Sequence, residues 1–289
     1  MLAVACAALW PGGAIGGEVP AETTMTSRIE PGRGSPLLVA HRGVSARFPE
    51  NTLAAFHAAV ADGALMLELD VGLSADGVPV VLHDETLNRT TDGRGPLSAM
   101  AWPQVAELDA GSWFGPAFAG EPVPTLARVL DELGGRIAIN VEIKPEAVRS
   151  EPAGGIEEQV VALVRARALE DQVVISSFEP TAVGRIKRLF PELPAALLYH
   201  NELPQDAVAL LALYEADGLH VNKRHVTAEL VETLHAAGRY VGVYTANSAR
   251  DLRRLGELGV DAIFTDDVAA ARRLLSTGSG EEEVGDVVQ

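Results

Sequence analysis

The sequence has only one cysteine and few basic residues. Cys6 has no second cysteine with which to form an internal disulfide, so packing must stabilise the fold. The 23 Lys and Arg are outnumbered by 40 Asp and Glu, which gives a formal net charge of -17. Because a phosphate backbone attracts a basic surface, we expect no nucleic-acid partner and no anionic membrane surface as partner. A small phosphate ester remains compatible, provided that a cation and nearby Arg or Lys make its pocket locally positive.

Long hydrophobic runs are also absent. No stretch reaches the ~18 to 20 apolar residues of a membrane span, so we expect no stable membrane insertion. Residues 1–17 are apolar but contain no Lys or Arg, and Pro11 interrupts them. We expect residues 1–35 to be a disordered arm or a targeting remnant, such as a truncated signal, a lipoprotein leader around Cys6, or sequence before a true start at Met25. The predicted location is cytoplasmic, or exported if the segment is a truncated signal.

Between residues 36 and 275, short β-branched runs alternate with amphipathic helical stretches, which is typical of a single α/β domain. Residues 276–289 mix Gly, Ser and acids and predict a loose acidic tail. The predicted strands are 37–41, 65–71, 79–83, 136–143, 172–176, 195–199, 218–221, 240–245 and 262–265. Helical patterns follow most of the strands, for example at 51–61, 156–168, 180–189, 227–237, 248–258 and 267–275.

One connection is too short for a parallel crossover. Residues 72–78 lie between the second and third predicted strands, whereas a parallel crossover needs about a dozen residues, so these strands should form an antiparallel hairpin. Eight strands then remain for a TIM-type (β/α)8 barrel, and the hairpin places position 83 roughly opposite position 70. Residues 84–123 fit neither a strand nor a helix period, and we expect them to be an insertion over the top of the barrel.

Three acids interrupt apolar strand runs, where an unused charge is costly. Glu68 and Asp70 are two positions apart, so they face the same side of a strand, and Glu142 lies on a later strand. The carboxyl ends of barrel strands meet at one mouth, so the three carboxylates should converge and need a cation between them. Oxygen ligands favour Mg²⁺ or Ca²⁺ over zinc. The alternative is that these are ordinary charged residues at strand ends.

Two histidines and two cations should surround this site. His41 and His83 end strands and can each hold or release a proton near neutral pH. Arg42 and Lys144 suit contacts with phosphate oxygens, unless they only balance the nearby acids. Glu50, near a predicted helix start, could bind substrate or orient His41. The other histidines have structural contexts, except that the role of His220, in a strand, stays open.

These residues belong to short motifs that together resemble the glycerophosphodiester phosphodiesterase family. The motifs are HRG at 41–43, PENT at 49–52, ELD at 68–70, VVLHD at 80–84, NRTTDGRG at 88–95, VEIK at 141–144, SSF at 176–178 and FTD at 264–266. Family members often carry Trp in a V-W-T-x-N segment, where this chain has Tyr244. With Tyr244 in place of Trp, we expect this part of the substrate-binding pocket wall to be smaller or more polar than in those family members.

The resemblance implies an enzyme that hydrolyses glycerophosphodiesters to sn-glycerol 3-phosphate and an alcohol with a divalent cation. It implies His41 and His83 as the acid–base pair, and it implies that a hydroxyl of the substrate attacks phosphorus first to give a cyclic phosphate. The implied metal ligands are Glu68, Asp70 and Glu142, and the implied phosphate contacts are Arg42 and Lys144. Oligomeric state and head group are not indicated.

Two alternatives remain at this stage. The first is lysophospholipase D-type activity on lysophospholipids, with an acyl chain held by the aromatic residues of the insertion, namely Trp102, Trp113, Phe114 and Phe118. The second is a non-catalytic barrel that binds a phosphate ligand. Because every expected catalytic position is filled, the enzyme is the preferred interpretation.

Overall fold

A computed structural model describes residues 29–32, 34–151, 153–200 and 206–276 of the 289-residue chain. Residues 1–28 of the predicted arm and 277–289 of the predicted tail lie outside this part. The predictions about targeting, location and an acidic tail concern mainly those residues, so they stay predictions. Among the described residues, no helix combines the length and apolarity needed to cross a membrane.

Eight parallel strands form a closed barrel, which confirms the predicted fold class. The barrel closes where β1 pairs with both β9 and β2, and β3 is a ninth strand that pairs only with β2, in antiparallel orientation. The strands are β1 Leu37–Ala40, β2 Met66–Leu73, β3 Pro79–Val81, β4 Ala138–Ile143, β5 Val173–Ser177, β6 Ala195–Tyr199, β7 Gly218–Asn222, β8 Tyr240–Tyr244 and β9 Ala262–Thr265. Each begins and ends within a few residues of its predicted bounds.

The β2–β3 hairpin turns tightly at residues 74–77. Ser74 hydrogen-bonds the Asp76 carboxylate, and Gly77 takes a positive φ of 81°, a conformation that glycine adopts without steric cost. The Leu82 amide donates to the carbonyl of Asp70 at 3.0 Å, so position 82 lies opposite position 70. The predicted partner was position 83, one residue further on. His83 nevertheless emerges at the mouth directly after this contact.

The helices that alternate with the barrel strands lie outside the barrel and bury one face against it. Several begin at a Ser, Thr or Asp whose side chain accepts a hydrogen bond from the first helical turn, for example Thr227 from Leu230 at 3.1 Å. The described helices are α1 Leu53–Ala61, α2 Trp102–Val105, α3 Leu126–Leu133, α4 Ile156–Arg165, α5 Pro180–Leu189, α6 Ala207–Leu213, α7 Ala228–Ala236, α8 Ala249–Glu257 and α9 Val268–Ser276. The predictions omitted α2, α3 and α6.

The segment 84–123 consists of short elements around its own small core. It contains α2 and two 3₁₀ helices, Leu97–Ala99 and Pro116–Phe118, each too short to show a clear period. Its apolar side chains cluster with Val80 on β3 and with Leu82, the residue that follows β3. The segment is therefore anchored to the hairpin that carries His83. That it covers the site remains a prediction.

Two aromatic rings inside the barrel cross over glycines on the neighbouring strand. A Cβ atom at Gly242 on β8 would lie 2.6 Å from the ring of His220 on β7. A Cβ atom at Gly218 on β7 would lie 2.4 Å from the ring of Tyr240 on β8. Both distances are far below van der Waals contact, so each glycine leaves the space that the adjacent ring fills.

Candidate active site

The three predicted metal-binding acids meet at the barrel mouth. Asp70 and Glu142 are direct partners in the parallel pairing of β2 with β4, and Glu68 is two residues earlier on β2. One carboxylate oxygen from each lies within 4.8 Å of the others. All three residues are at most 8% exposed. This is the convergence predicted from strand periodicity.

Lys144 and Arg42 hold the acids together through ion pairs and hydrogen bonds. Lys144 Nζ lies 2.8 Å from Glu142 Oε1 and 3.3 Å from Asp70 Oδ1. Arg42 donates its backbone amide to Glu68 Oε2 at 2.9 Å, and its Nε lies 3.4 Å from Asp70 Oδ2. Both cations therefore balance the acids in this structure.

The charges of the triad are set by burial and by these neighbours. Burial raises the pKa of Glu68, and the adjacent charges of Asp70 and Glu142 raise it further. Burial and Asp70 likewise raise the pKa of Glu142. Burial also disfavours ionised Asp70, but the charges of Lys144 and Arg42 outweigh it, so the pKa of Asp70 is lowered. Carboxylates this close resist joint ionisation unless a further positive charge lies among them.

This arrangement fits a divalent cation. The donors are three carboxylates with no cysteine or histidine among them, a set that suits Mg²⁺ or Ca²⁺ better than zinc. Asn51 supports the set, because its amide Nδ2 donates to Asp70 Oδ2 at 2.8 Å and its Oδ1 accepts the amide of Asp70 at 3.2 Å. Among the residues that the structure describes, no other group of acids, histidines and cysteines converges in this way.

Each predicted acid–base histidine is paired with a carboxylate. His41 Nδ1 lies 2.7 Å from Asp266 Oδ1, and His83 Nδ1 lies 2.7 Å from Asp84 Oδ1. A carboxylate only accepts hydrogen bonds, so Nδ1 carries a proton in each neutral ring and Nε2 is left to exchange one. Burial lowers the pKa of His83, which favours its neutral form near pH 7.

Glu50 does not orient His41, contrary to one prediction. Its carboxylate instead accepts from Arg42 NH1 at 2.8 Å and from both terminal nitrogens of Arg89, each at 2.8 Å. Arg89 also donates to Asp84, the partner of His83. Glu50 therefore fixes the guanidinium of Arg42 and links it to the His83 side of the mouth. The structure assigns the orientation of His41 to Asp266.

A cavity of about 420 Å³ opens beside these groups. His41, Arg42, Glu68, His83 and Glu142 all line it. Its other lining residues are Asn140, Ser176, Phe178, Leu198, His200, His220, Asn222, Lys223, Arg224, Tyr244, Thr245 and Phe264. The cavity wall thus combines acidic, cationic and neutral polar side chains with several aromatic rings.

Tyr244 forms part of the aromatic wall. Its ring lies 6.1 Å from that of Phe178 and stacks against His200 at 6.5 Å, and its hydroxyl donates to the carbonyl of Tyr199 at 2.6 Å. The hydroxyl is therefore directed to the backbone, and the ring is the part presented to the cavity. The aromatic residues of the insertion that the acyl-chain alternative requires are not among the lining residues.

Several site residues were missed or given no role from the sequence. Asn51 and Thr52 are both candidate N-caps from the sequence; Thr52 caps α1, whereas Asn51 binds Asp70. Asp266 has a signal in the FTD motif, but its pairing with His41 spans 225 positions. Asn140 lies two positions before Glu142 on β4, and Ser176 on β5 is in register with Glu142. Both side chains therefore face the cavity, as that of Glu142 does. Strand periodicity could have identified both.

A closed parallel barrel with a carboxylate cluster and two carboxylate-paired imidazoles at its mouth is a TIM-type barrel enzyme. The model of the Glycerophosphoryl diester phosphodiesterase family matches residues 41–270 of the chain. The chain therefore belongs to this family and is a phosphoric diester hydrolase.

Relatives of known sequence and structure support the assignment. The chain is 38% identical over 243 residues to the glycerophosphodiester phosphodiesterase of Caldanaerobacter subterraneus subsp. tengcongensis, covering 84% of this chain and 98% of that protein. An Oleispira antarctica phosphodiesterase, solved in complex with the product sn-glycerol-3-phosphate, is 31% identical with a TM-score of 0.74, covering 84% of this chain and 97% of that one. A glycerophosphodiester phosphodiesterase from Agrobacterium tumefaciens is 30% identical with a TM-score of 0.71, covering 82% of this chain and 99% of that one.

Proposed function

We propose that the protein hydrolyses glycerophosphodiesters to sn-glycerol 3-phosphate and an alcohol in a reaction that depends on a divalent cation. The observation that carries the proposal is that two carboxylate-paired histidines, Arg42 and two acids of the carboxylate triad line one cavity. The third acid, Asp70, and Lys144 are in direct contact with this group. The product bound by the Oleispira antarctica relative is consistent with it. The cavity of about 420 Å³ suits a small substrate.

Glu68, Asp70 and Glu142 would hold the cation, with Mg²⁺ and Ca²⁺ as the candidates. When bound, such a cation supplies positive charge that stabilises the charge developing on phosphate oxygens. Arg42 and Lys144 add fixed positive charge at the same place, and Arg42 is held in position by Glu50. The substrate role that we propose for Glu50 is therefore indirect.

His41 and His83 would move the protons of the reaction. One ring starts neutral, and its Nε2 takes the proton of the substrate hydroxyl that attacks phosphorus. The other ring starts as the imidazolium, and its Nε2 gives a proton to the oxygen of the leaving alcohol. The cyclic phosphate is then opened by water with the two roles reversed, which restores both rings. This route requires no protein nucleophile.

The test is the release of glycerol 3-phosphate from glycerophosphocholine and glycerophosphoethanolamine, measured with Mg²⁺, with Ca²⁺ and with EDTA. We expect activity with at least one cation and its loss on chelation. The variants His41→Ala and His83→Ala should each lower turnover by about 10² or more, because each removes a positioned acid or base. The matched control is His57→Ala on α1, outside the cavity. Activity that is indifferent to EDTA would contradict the role of the cation, and a near-normal double histidine variant would contradict the acid–base assignment.

A further inference from the structure

Part of the cavity is formed by polar side chains that the proposed reaction does not use. Asn140, Ser176 and His220 line the cavity although each is at most 1% exposed, and we refer to them as the polar floor. Asn140 Nδ2 donates to Ser176 Oγ at 2.9 Å. Within the described residues, no hydrogen-bond partner reaches Asn140 Oδ1 or either ring nitrogen of His220. A buried polar group without a partner is costly, so its retention at a cavity wall points to a ligand.

The ring of His220 is held in one place. Its centroid lies 4.9 Å from that of Phe264 and 5.7 Å from that of Tyr240, and it occupies the space above Gly242. Burial lowers the pKa of His220 to about 3, so the ring is neutral at physiological pH. A neutral imidazole offers one N–H donor and one acceptor nitrogen.

The polar floor therefore offers hydrogen bonds without a formal charge. Asn140 contributes an acceptor, His220 a donor and an acceptor, and Ser176, which already accepts from Asn140, a hydroxyl hydrogen. A phosphate would find no fixed positive charge among these three side chains, and an ammonium group no negative one. The group that matches them is a neutral hydroxyl, which donates one hydrogen bond and accepts others.

We propose that the polar floor binds the terminal hydroxyl of the substrate's glycerol moiety, with His220 as the specificity-determining residue. This inference rests on the proposed function. It makes the enzyme selective for deacylated glycerophosphodiesters, because an acyl ester at that oxygen removes the donated hydrogen and places a chain against buried polar atoms. The lysophospholipids of the earlier alternative are thereby disfavoured as substrates.

The experiment compares two substrates that differ only at the proposed contact. Glycerophosphocholine carries the terminal hydroxymethyl group, whereas 2-hydroxyethyl phosphocholine lacks it but retains the hydroxyl that can attack phosphorus. The ratio of their kcat/KM values is measured for the wild type, for His220→Phe and for the control His57→Phe, a matched substitution on α1. For the wild type and the control we expect a preference for glycerophosphocholine of about 10 to 10² fold, because the unfilled floor leaves buried polar groups unpaired.

The His220→Phe variant should lower that ratio to about threefold or less, mainly by raising KM for glycerophosphocholine. A wild type without preference, a variant that keeps the full preference, or an equal loss of activity on both substrates would each overturn the role of His220. Hydrolysis of 1-acyl lysophosphatidylcholine by the wild type at a rate similar to that of glycerophosphocholine would overturn it as well.

A second variant keeps the proposal testable if His220→Phe folds poorly. His220→Gln retains hydrogen bonding but shifts its position, so competitive inhibition by glycerol 3-phosphate should weaken about 3 to 10 fold, whereas inhibition by 2-hydroxyethyl phosphate should not change. Equal effects on both inhibitors would contradict the proposal. Failure of the proposed function has a different signature, namely a wild type that releases no glycerol 3-phosphate with any cation.

Discussion

The contact between His41 and Asp266 provides a sharp test of how the site operates. Asp266 Oδ1 accepts from His41 Nδ1 at 2.7 Å, and Ser45 and Asn247 also donate to the same carboxylate. Burial opposes ionisation of Asp266, but the hydrogen bond and charge of His41 outweigh it, so the pKa of Asp266 lies below its usual value. The carboxylate is therefore ionised, as the proposed acid–base role of His41 requires.

The substitution Asp266→Asn keeps the size of the side chain but removes its charge. A hydrogen bond to a charged group contributes about 1.5–3 kcal/mol, and 1.36 kcal/mol corresponds to a tenfold change in rate. We therefore expect kcat for glycerol 3-phosphate release to fall by about 10 to 10² fold, with a smaller change in KM. The matched control is Asp267→Asn, the same substitution one residue later, where the carboxylate contacts Arg47 at the surface.

A double variant shows whether the effect acts through His41. If Asp266 only orients and stabilises this ring, then Asp266→Asn should have little further effect in a His41→Ala background. Single-variant activity within twofold of the wild type, or fully additive losses in the double variant, would refute the reasoning. Binding of Mg²⁺ or Ca²⁺ by Asp266→Asn should match that of the wild type, because Asp266 is outside the triad.

Three further predictions concern the cation, a helix cap and pH. Glu142→Gln removes one of the proposed charged ligands and should weaken cation binding by about tenfold or more, measured by isothermal titration calorimetry; unchanged affinity would argue against Glu142 as a ligand. Thr227→Ala removes the N-cap of α7 and should lower the free energy of unfolding by about 1 kcal/mol in urea titrations, without change in kcat; a stability equal to that of the wild type would contradict this. Burial lowers the pKa of His220 from the ordinary 6.5 to about 3, so the stability that its neutral form provides is complete above pH 6.5 and is lost progressively as the pH falls toward 3. His220→Phe should remove this loss. As the pH is lowered from 7.5 to 5, the free energy of unfolding of the variant should therefore rise relative to that of the wild type by about 1 to 2 kcal/mol. Parallel pH profiles of the free energy of unfolding would contradict this prediction.

The barrel was predictable because its strands are short, buried and separated by polar or glycine-containing turns. The same alternation that identified the strands placed Glu68 and Asp70 on one face, and the chain-length limit on crossovers identified the hairpin. The register of that hairpin was one position off, because the turn includes Ser74 and Gly77 in a geometry that strand patterns do not specify.

The missed helices had weak or displaced signals. In α3, Leu126, Val129, Leu130 and Leu133 are all buried and have helical spacing, but the helix directly follows a proline-rich stretch that obscured its start. The α6 sequence, AVALLAL, is apolar on all sides and has no readable period. The segment 84–123 has no strong period because its elements are only three or four residues long.

The partners of the site residues were less predictable than the residues themselves. Asp266 reaches His41 across 225 positions, and Arg89 reaches Glu50 across 39. Such pairs depend on the closure of the barrel and on the path of the inserted segment, which no local pattern encodes. From the sequence, Glu50, a nearer acid, was therefore one candidate for orienting His41, with substrate binding as its other possible role.

The rings that lie over glycines inside the barrel also constrain which substitutions the sequence can accept during evolution. His220 fills the volume missing at Gly242, and Tyr240 fills the volume missing at Gly218. A bulkier residue at either glycine requires a slimmer one at the opposing position in the same evolutionary step, so the two positions of each pair should covary among homologous sequences. Because His220 faces the cavity, a drift of Gly242 toward alanine would also reshape the cavity wall, linking change in a buried strand to change in what the enzyme accepts.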